Sequence, residues 1–302
     1  MAFNRRIFFS LTADPHLTPQ QNELKWGIVN KITGLGYSPE IFTAPPERRI
    51  KGMASRLGWG FDACKKVMRR CCGHVLVGMP RWPVTDSSTF LATEFCHYEG
   101  AVSHTLDLPT LVIAEKTIES RLVFDPNLGR FIISIPLGAG TEWLESDGFR
   151  FALEAWGEEI KGRPEIFLGY SSASRGIAIQ VKKLLERDLN VRVLDWHDDF
   201  KSAVSILSEI GSAAERCRGG IFLFTKDDVL EGSTGKAAPR DNVVFEAGYF
   251  ASAKGHDRVL IVLESGAKMP ADLGGYIYAS LEDRSNIEPI EVRIRSFLSD
   301  NF

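Results

Sequence analysis

The sequence has no long apolar run. None of its hydrophobic stretches approaches the roughly 18–20 residues that a membrane-spanning helix needs, and the charged start MAFNRRIFFSLTADPHL lacks the pattern of a signal peptide. The five cysteines form no CxxC pair, which argues against a zinc site or a disulfide framework. These absences predict a cytoplasmic protein with reduced cysteines, no bound metal and no membrane anchor.

What the chain does have is the alternation of strands and helices that is typical of α/β domains. Its 302 residues allow two domains of about 150 residues each. Each half opens with a short apolar strand, RIFFSLT at 6–12 and EIFLGYSS at 165–172. We therefore predict two flavodoxin-like α/β domains with mostly parallel five-stranded sheets, over residues 1–160 and 161–302, divided where Gly162 and Pro164 interrupt a helix.

The most informative segment is PRDNVVFEAGYF at 239–250. Asp241 or Asn242 is the predicted N-cap of a helix whose positive end, beside Arg240, favours a phosphate. Glu246 lies one turn after Asn242 among apolar residues, and Gly248 suggests a close packing contact. A carboxylate held in such a setting near a cation can stabilise a positively charged transition state. An ordinary exposed glutamate on a capped helix fits the same pattern, so the residue types alone leave both interpretations open.

The C-terminal half resembles the bacterial Toll/interleukin-receptor-like (TIR) domains that act as effectors in cyclic-nucleotide antiphage systems. The matching stretches are EIFLGYSSAS, GIFLFTKDD, PRDNVVFEAGYF and VLIVLESGAKMPADLGGYIYASL, so the resemblance covers roughly residues 164–300. It implies a TIR-like fold for this half and cleavage of NAD between nicotinamide and ribose. Glu246 would be the catalytic glutamate, and NAD a substrate rather than a cofactor.

A set of candidate substrate-binding residues follows from the resemblance and from their places at the ends of predicted strands or before the Glu246 helix. They are Tyr170, Ser171, Ser172, Arg175, Trp196, Arg240, Asp241 and Asn242. In the family, the loop that contains Trp196 and His197 covers the site and mediates assembly; here it precedes a helix predicted over 199–217. Nicotinamide leaves without needing a proton, so the chemistry calls for neither a metal nor a Ser/His pair.

The first half carries a weaker copy of the same pattern. YEGA at 98–101 matches FEAG at 245–248, which suggests a duplication. This half resembles a degenerate TIR-like or nucleoside-deoxyribosyltransferase-like domain, with Glu99 in the place of Glu246 and Phe9-Ser10 in the place of Tyr170-Ser171. It has no match for the Arg-Asp-Asn of residues 240–242, which puts any carried-over activity in doubt.

A basic stretch distinguishes the first half. Between Arg48 and Arg70, eight basic residues accompany a single acid, Asp62. With Trp59 and Phe61 among them, these residues suit an anionic activator such as a cyclic nucleotide or a nucleic acid, although a solvated basic face fits as well. We expect this half to be a sensor or assembly domain.

The sequence therefore predicts an NAD hydrolase of antiphage defence that is gated by a ligand or by assembly, and that works as a homo-oligomer. A cyclase or ribosyltransferase that makes an ADP-ribose-derived signal is one alternative, and a non-catalytic nucleotide-binding scaffold is another. Their products differ. Hydrolysis yields nicotinamide and ADP-ribose, cyclisation yields nicotinamide and a cyclic product, and the scaffold yields neither.

Overall fold

The computed structural model describes residues 4–49, 52–128, 131–200, 205–229 and 237–302. They fall into two compact units, Asn4–Gly162 and Arg163–Phe302. Within the described ranges, no helix combines the length and the apolar character needed to cross a membrane. All five cysteines are buried.

The N-terminal unit alternates strands with helices. Its strands are β1 (Arg6–Leu11), β2 (Ser38–Glu40), β3 (Cys71–Gly78), β4 (Trp82–Pro83), β5 (Phe90–Leu91), β6 (Thr110–Glu115) and β7 (Ile132–Ile135), and its helices are α1 (Pro19–Thr33), α2 (Phe61–Met68), α3 (Glu94–Thr105) and α4 (Asp147–Gly162). The sheet has the order β2-β1-β3-β6-β7 and is parallel throughout.

The C-terminal unit repeats that plan. Its strands are β8 (Ile166–Gly169), β9 (Val193–Asp195), β10 (Gly219–Phe224), β11 (Asp228–Val229), β12 (Ala237–Ala238), β13 (Val259–Glu264) and β14 (Ile277–Leu281), and its helices are α5 (Arg175–Lys183), α6 (Trp196–Asp199), α7 (Ile206–Arg216), α8 (Asp241–Lys254) and α9 (Glu288–Asn301). The parallel order β9-β8-β10-β13-β14 is again the flavodoxin-like 2-1-3-4-5 arrangement. Two five-stranded parallel sheets confirm the predicted fold class.

Alternate residues of the C-terminal strands point to opposite faces of the sheet and build two apolar layers. Ile221 and Leu223 pack with α5 and α9 on one face, whereas Phe222 and Phe224 pack with α7 and α8 on the other. Burial of both faces explains why these strands read as nearly unbroken apolar runs. The second layer places α8, and therefore Glu246, against β8 and β10.

The sheets of the two units share their internal register. Phe8 of β1 pairs with His74 of β3, and Phe167 of β8 pairs with Gly220 of β10. His74 in turn pairs with Thr110, the first residue of β6, and Gly220 pairs with Val259, the first residue of β13. The register therefore aligns Phe8 with Phe167.

Two residues further along, Ser10 falls at the position of Gly169. The predicted match of Phe9-Ser10 to Tyr170-Ser171 is therefore wrong by two residues, because it aligned serines and not the apolar strand positions. Glu99 and Glu246 do correspond, since each lies five residues after the first residue of its helix.

The region after β9 also differs from its prediction. A continuous helix was expected over 199–217, but α6 already begins at Trp196 and α7 begins at Ile206. The carboxylate of Asp195 accepts a hydrogen bond from the backbone N–H of His197, which caps α6 and starts it early. Residues 201–204 of the predicted helix lie outside the described residues.

Candidate functional site

Glu246 lies on the second turn of α8, with 7% of its surface exposed. Its Oε2 atom is buried, and none of the residues that the structure describes hydrogen-bonds to it. Burial raises the pKa of Glu246 to about 8, because the charged form loses its hydration. A buried carboxyl group whose environment leaves it unsatisfied is costly, and such groups concentrate at functional sites.

Gly169, the last residue of β8, makes room for that carboxyl group. A Cβ atom at this position would lie 2.9 Å from Glu246 Oε2 and would overlap the ring of Phe222. The end of the first strand is therefore shaped around the glutamate.

A cavity of about 530 Å³ opens in front of Glu246. Its volume lies within the range of about 300–1,000 Å³ that is usual for small-molecule sites. The cavity forms where the carboxyl ends of β8 and β9 meet the start of α8, which is where ligands bind in open parallel sheets.

The cavity brings together most of the residues singled out in the sequence. These lining residues are Tyr170, Ser171, Ser172, Trp196, Arg240, Asn242 and Glu246. Arg175 and Asp241 are exposed and do not line it. The remaining lining residues were not among the candidate substrate-binding residues: they are Ala173, His197, Phe200, Ile206, Glu209 and Val243.

Asp195 organises one wall of the cavity. Its Oδ1 accepts a hydrogen bond from the Tyr170 hydroxyl at 2.7 Å, and its Oδ2 lies 3.3 Å from Lys182 Nζ. Burial and the hydrogen bond to Asp195 raise the pKa of Tyr170 above its usual value. Asp195 was not among the residues singled out from the sequence, although a carboxylate that ends a strand at the carboxyl edge of a parallel sheet is a usable signal.

Trp196 is held in place from the same wall. Its indole N–H donates to the backbone carbonyl of Tyr170 at 2.9 Å, and the two rings lie 5.6 Å apart. An aromatic ring fixed in this way beside a cavity offers a flat surface for a heteroaromatic ligand.

The start of α8 differs from the prediction. Arg240 occupies the N-cap position, so the expectation of Asp241 or Asn242 as N-cap is wrong. The backbone is extended at Arg240 and helical from Asp241 onward, so the helix begins before either side chain can cap it. Arg240 pairs with Asp228 of β11 at 3.0 Å, which anchors the cation at the cavity rim.

The predicted tight packing at Gly248 is also not found. A Cβ atom built there would meet no atom within 4 Å among the described residues. Nor do the described residues bring three His, Cys, Asp or Glu side chains close enough together to hold a metal ion.

Comparison with known proteins finds a family match within the C-terminal unit. Residues 165–283 match the family described as "CAP12/Pycsar effector protein, TIR domain". The chain is 37% identical over 123 residues to CD-NTase-associated protein 12 of Flavobacterium daejeonense, which is 40% of this chain and 39% of that protein.

Two further relatives are similar over comparable lengths. CD-NTase-associated protein 12 of a Lachnospiraceae bacterium is 30% identical over 139 residues, 45% of this chain and 43% of that protein. The Pycsar effector protein BcPycTIR of Burkholderia cepacia is 30% identical over 127 residues, 39% of this chain and 42% of that protein. The chain thus spans about two fifths of the length of the curated relatives it matches. The parallel sheet, the PRDNVVFEAGYF helix and these matches together support a bacterial TIR effector domain in the C-terminal half of the chain.

Proposed function

We propose that the C-terminal unit cleaves NAD at the bond between nicotinamide and ribose, with Glu246 as the catalytic residue. The observation that carries the proposal is the buried carboxyl group of Glu246, which faces a cavity and has no hydrogen-bond partner on Oε2 among the described residues. In the reaction the C–N glycosidic bond breaks and its electron pair neutralises the nicotinamide nitrogen. Water then adds to the anomeric carbon and releases a proton.

The environment of Glu246 suits that charge pattern. Positive charge develops on the ribose ring in the transition state, and a nearby carboxylate in a water-poor site stabilises it strongly. Glu246 is largely protonated at neutral pH before substrate binds, because burial raises its pKa to about 8. The cationic nicotinamide ring of NAD lowers that pKa on binding, so the substrate itself favours the ionised form.

The cavity wall supplies positioning groups. Trp196 stacks against nicotinamide or adenine, and the hydroxyls of Ser171 and Ser172 are available to the ribose or phosphates at the end of β8. Arg240 is the cation at the rim and attracts the diphosphate, in competition with Asp228.

We further propose that the whole chain is an effector of antiphage defence. The relatives are named as CD-NTase-associated and Pycsar effector proteins, which supports a role downstream of a cyclic-nucleotide signal. A constitutive NAD hydrolase would deplete its host, so activity requires a trigger. The N-terminal unit is the proposed receiver of an anionic activator, and a homo-oligomer the proposed active form.

Nicotinamide release from NAD by concentrated protein in a crowding agent tests the catalytic proposal. Glu246→Gln keeps the shape of the side chain and removes its charge, so we expect release to fall at least a hundredfold. Glu215→Gln is the matched control, because Glu215 is exposed on α7 outside the cavity. Release that survives in Glu246→Gln, or absence of release from an assembled wild-type protein, would contradict the proposal.

Product analysis in the same assay separates the related activities. ADP-ribose as the accompanying product supports hydrolysis, whereas a cyclic product supports a cyclase that excludes water from the cavity. A protein that binds NAD and releases no nicotinamide behaves as a scaffold.

A further inference from the structure

The N-terminal unit contains a second buried glutamate at the topological position of Glu246. Glu99 of α3 is 5% exposed and lies against the first strand of its sheet, as Glu246 does. Burial raises the pKa of Glu99 to about 7, although hydrogen bonds from Ser10 and Trp59 lower it in part. The two units therefore share a buried carboxyl group with a raised pKa at the corresponding helix position.

What covers the two carboxyl groups differs. Glu246 faces an open cavity, whereas the indole N–H of Trp59 donates to Glu99 Oε1 at 2.8 Å. Ser10 lies at the register position of Gly169. Its side chain hydrogen-bonds to Glu99 and also to His74 Nε2, the latter at 2.7 Å. In the N-terminal unit a side chain of the protein thus contacts the carboxyl group that in the other unit faces a cavity.

Trp59 packs against other aromatic rings. Its ring lies 4.4 Å from Phe95 and 5.3 Å from Phe61, and Phe61 lies 4.9 Å from Tyr98. Phe61 is 64% exposed and Phe95 is 47% exposed, which is unusual for rings that serve only to fill a core. We call Phe61, Phe95 and Tyr98 the aromatic box.

The segment that carries Trp59 is loosely packed at its two neighbouring glycines. Trp59 is flanked by Gly58 and Gly60, and a Cβ atom at either glycine would meet no described atom within 4 Å. Trp59 itself is only partly buried and precedes α2. Because Trp59 lies outside the sheet, displacing this one side chain would uncover Glu99 Oε1 without breaking a strand pairing.

Indole resembles a purine base in shape, since both are fused six- and five-membered aromatic rings. A purine nucleotide, whose N9 carries the ribose, still offers N–H donors on its six-membered ring: the exocyclic amine of adenine, or N1–H and the exocyclic amine of guanine. A purine base in the place of Trp59 keeps the contacts with the aromatic box and donates an N–H to Glu99 Oε1. The exposed lysines Lys65 and Lys66 follow Phe61 on α2 and suit the phosphate of a nucleotide, which is attached to the base through the ribose.

We propose that the N-terminal unit has a purine-base site formed by Glu99, Ser10 and the aromatic box, and that Trp59 occupies this site in the unliganded protein. The site takes a purine nucleoside or nucleotide. It is independent of the proposed NAD cleavage, since it uses no residue of the C-terminal unit.

Isothermal titration of the full-length chain with AMP, GMP and UMP tests the proposal. Trp59→Ala removes the internal competitor, so we expect the two purine nucleotides to bind at least tenfold more tightly than to wild type, at one additional site per chain. The affinity for UMP, whose base has a single ring, is expected to rise less than threefold. Adding Glu99→Gln to Trp59→Ala should cancel most of the purine gain. Wild-type titrations set the baseline for any binding at the C-terminal cavity.

Three results would overturn the proposal: no gain in purine affinity in a folded Trp59→Ala protein, an equal gain for UMP, or a gain that persists with Glu99→Gln. Trp59→Phe provides the test if Trp59→Ala fails to fold. It keeps an aromatic ring in place and removes the N–H that occupies Glu99, so purine affinity should rise about threefold. An unchanged affinity in Trp59→Phe would equally reject the site.

Discussion

A carboxyl group that remains protonated in the folded state makes stability depend on pH. Glu246 has a folded pKa of about 8 against an ordinary value of 4.5, so between these pH values the folded state holds the proton more tightly than the unfolded state. The free energy of unfolding therefore falls as pH rises through that window. A shift of one unit corresponds to about 1.4 kcal/mol, so the effect of Glu246 is on the order of a few kcal/mol.

Glu246→Gln removes this dependence. As the pH rises from 5 to 8.5, we expect the free energy of unfolding of the variant to increase relative to that of wild type, because the amide carries no charge to desolvate. Urea unfolding at the two pH values measures the difference, and comparing the pH values cancels the fixed cost of a buried amide. Glu215→Gln should follow wild type throughout. An equal pH dependence in Glu246→Gln and wild type would show that the carboxyl group is not buried as described.

Asp195 acts through the residues it holds. Asp195→Ala removes the acceptor for Tyr170 and the cap of α6, which should lower the free energy of unfolding by about 1–3 kcal/mol. We expect nicotinamide release to fall mainly through a higher KM, because the wall that includes Trp196 loses its fixed geometry. Asp195→Asn keeps an acceptor for both bonds and should recover most of the KM. A fall in kcat that Asp195→Asn does not restore would argue against a positioning role.

At the scale of elements, two glycines at the Glu246 site should respond in opposite ways to the same change. Gly248 lies within α8 with open space around a Cβ atom, so Gly248→Ala should raise the free energy of unfolding by about 0.5–1 kcal/mol. A Cβ atom at Gly169 would overlap Phe222 and crowd Glu246, so Gly169→Ala should destabilise by about 1–3 kcal/mol. Denaturant unfolding checks both. Loss of stability in Gly248→Ala would indicate that another surface packs on α8.

The elements also show what the sequence alone could and could not predict. The alternation of short apolar strands with helical patterns predicted both parallel sheets, and the PRDNVVFEAGYF segment placed Glu246 on α8. The role of Asp195 escaped because it depends on β9 lying beside β8, a pairing between residues about 25 positions apart. The predicted N-cap of α8 was wrong because Asp241 and Asn242 have good capping side chains but lie inside the helix.

Across the whole molecule, the same sheet topology occurs twice, but the surroundings of the corresponding glutamates differ. In the C-terminal unit, glycine at the end of the first strand leaves Glu246 facing a cavity. In the N-terminal unit, Ser10 and Trp59 hydrogen-bond to Glu99 and cover it. The register, which only the paired strands reveal, explains this difference better than the loss of the Arg-Asp-Asn sequence.

The pH dependence of kcat/KM for nicotinamide release tests the central claim about Glu246 most directly. This ratio reports the ionisation of the free enzyme, and only the charged carboxylate can stabilise the positive transition state. We expect kcat/KM to rise about tenfold per pH unit from pH 6 and to level off near pH 8, in accordance with the raised pKa of Glu246. A profile that is flat from pH 6 to pH 9, or one that falls over this range, would contradict the assignment of Glu246 as the catalytic carboxylate.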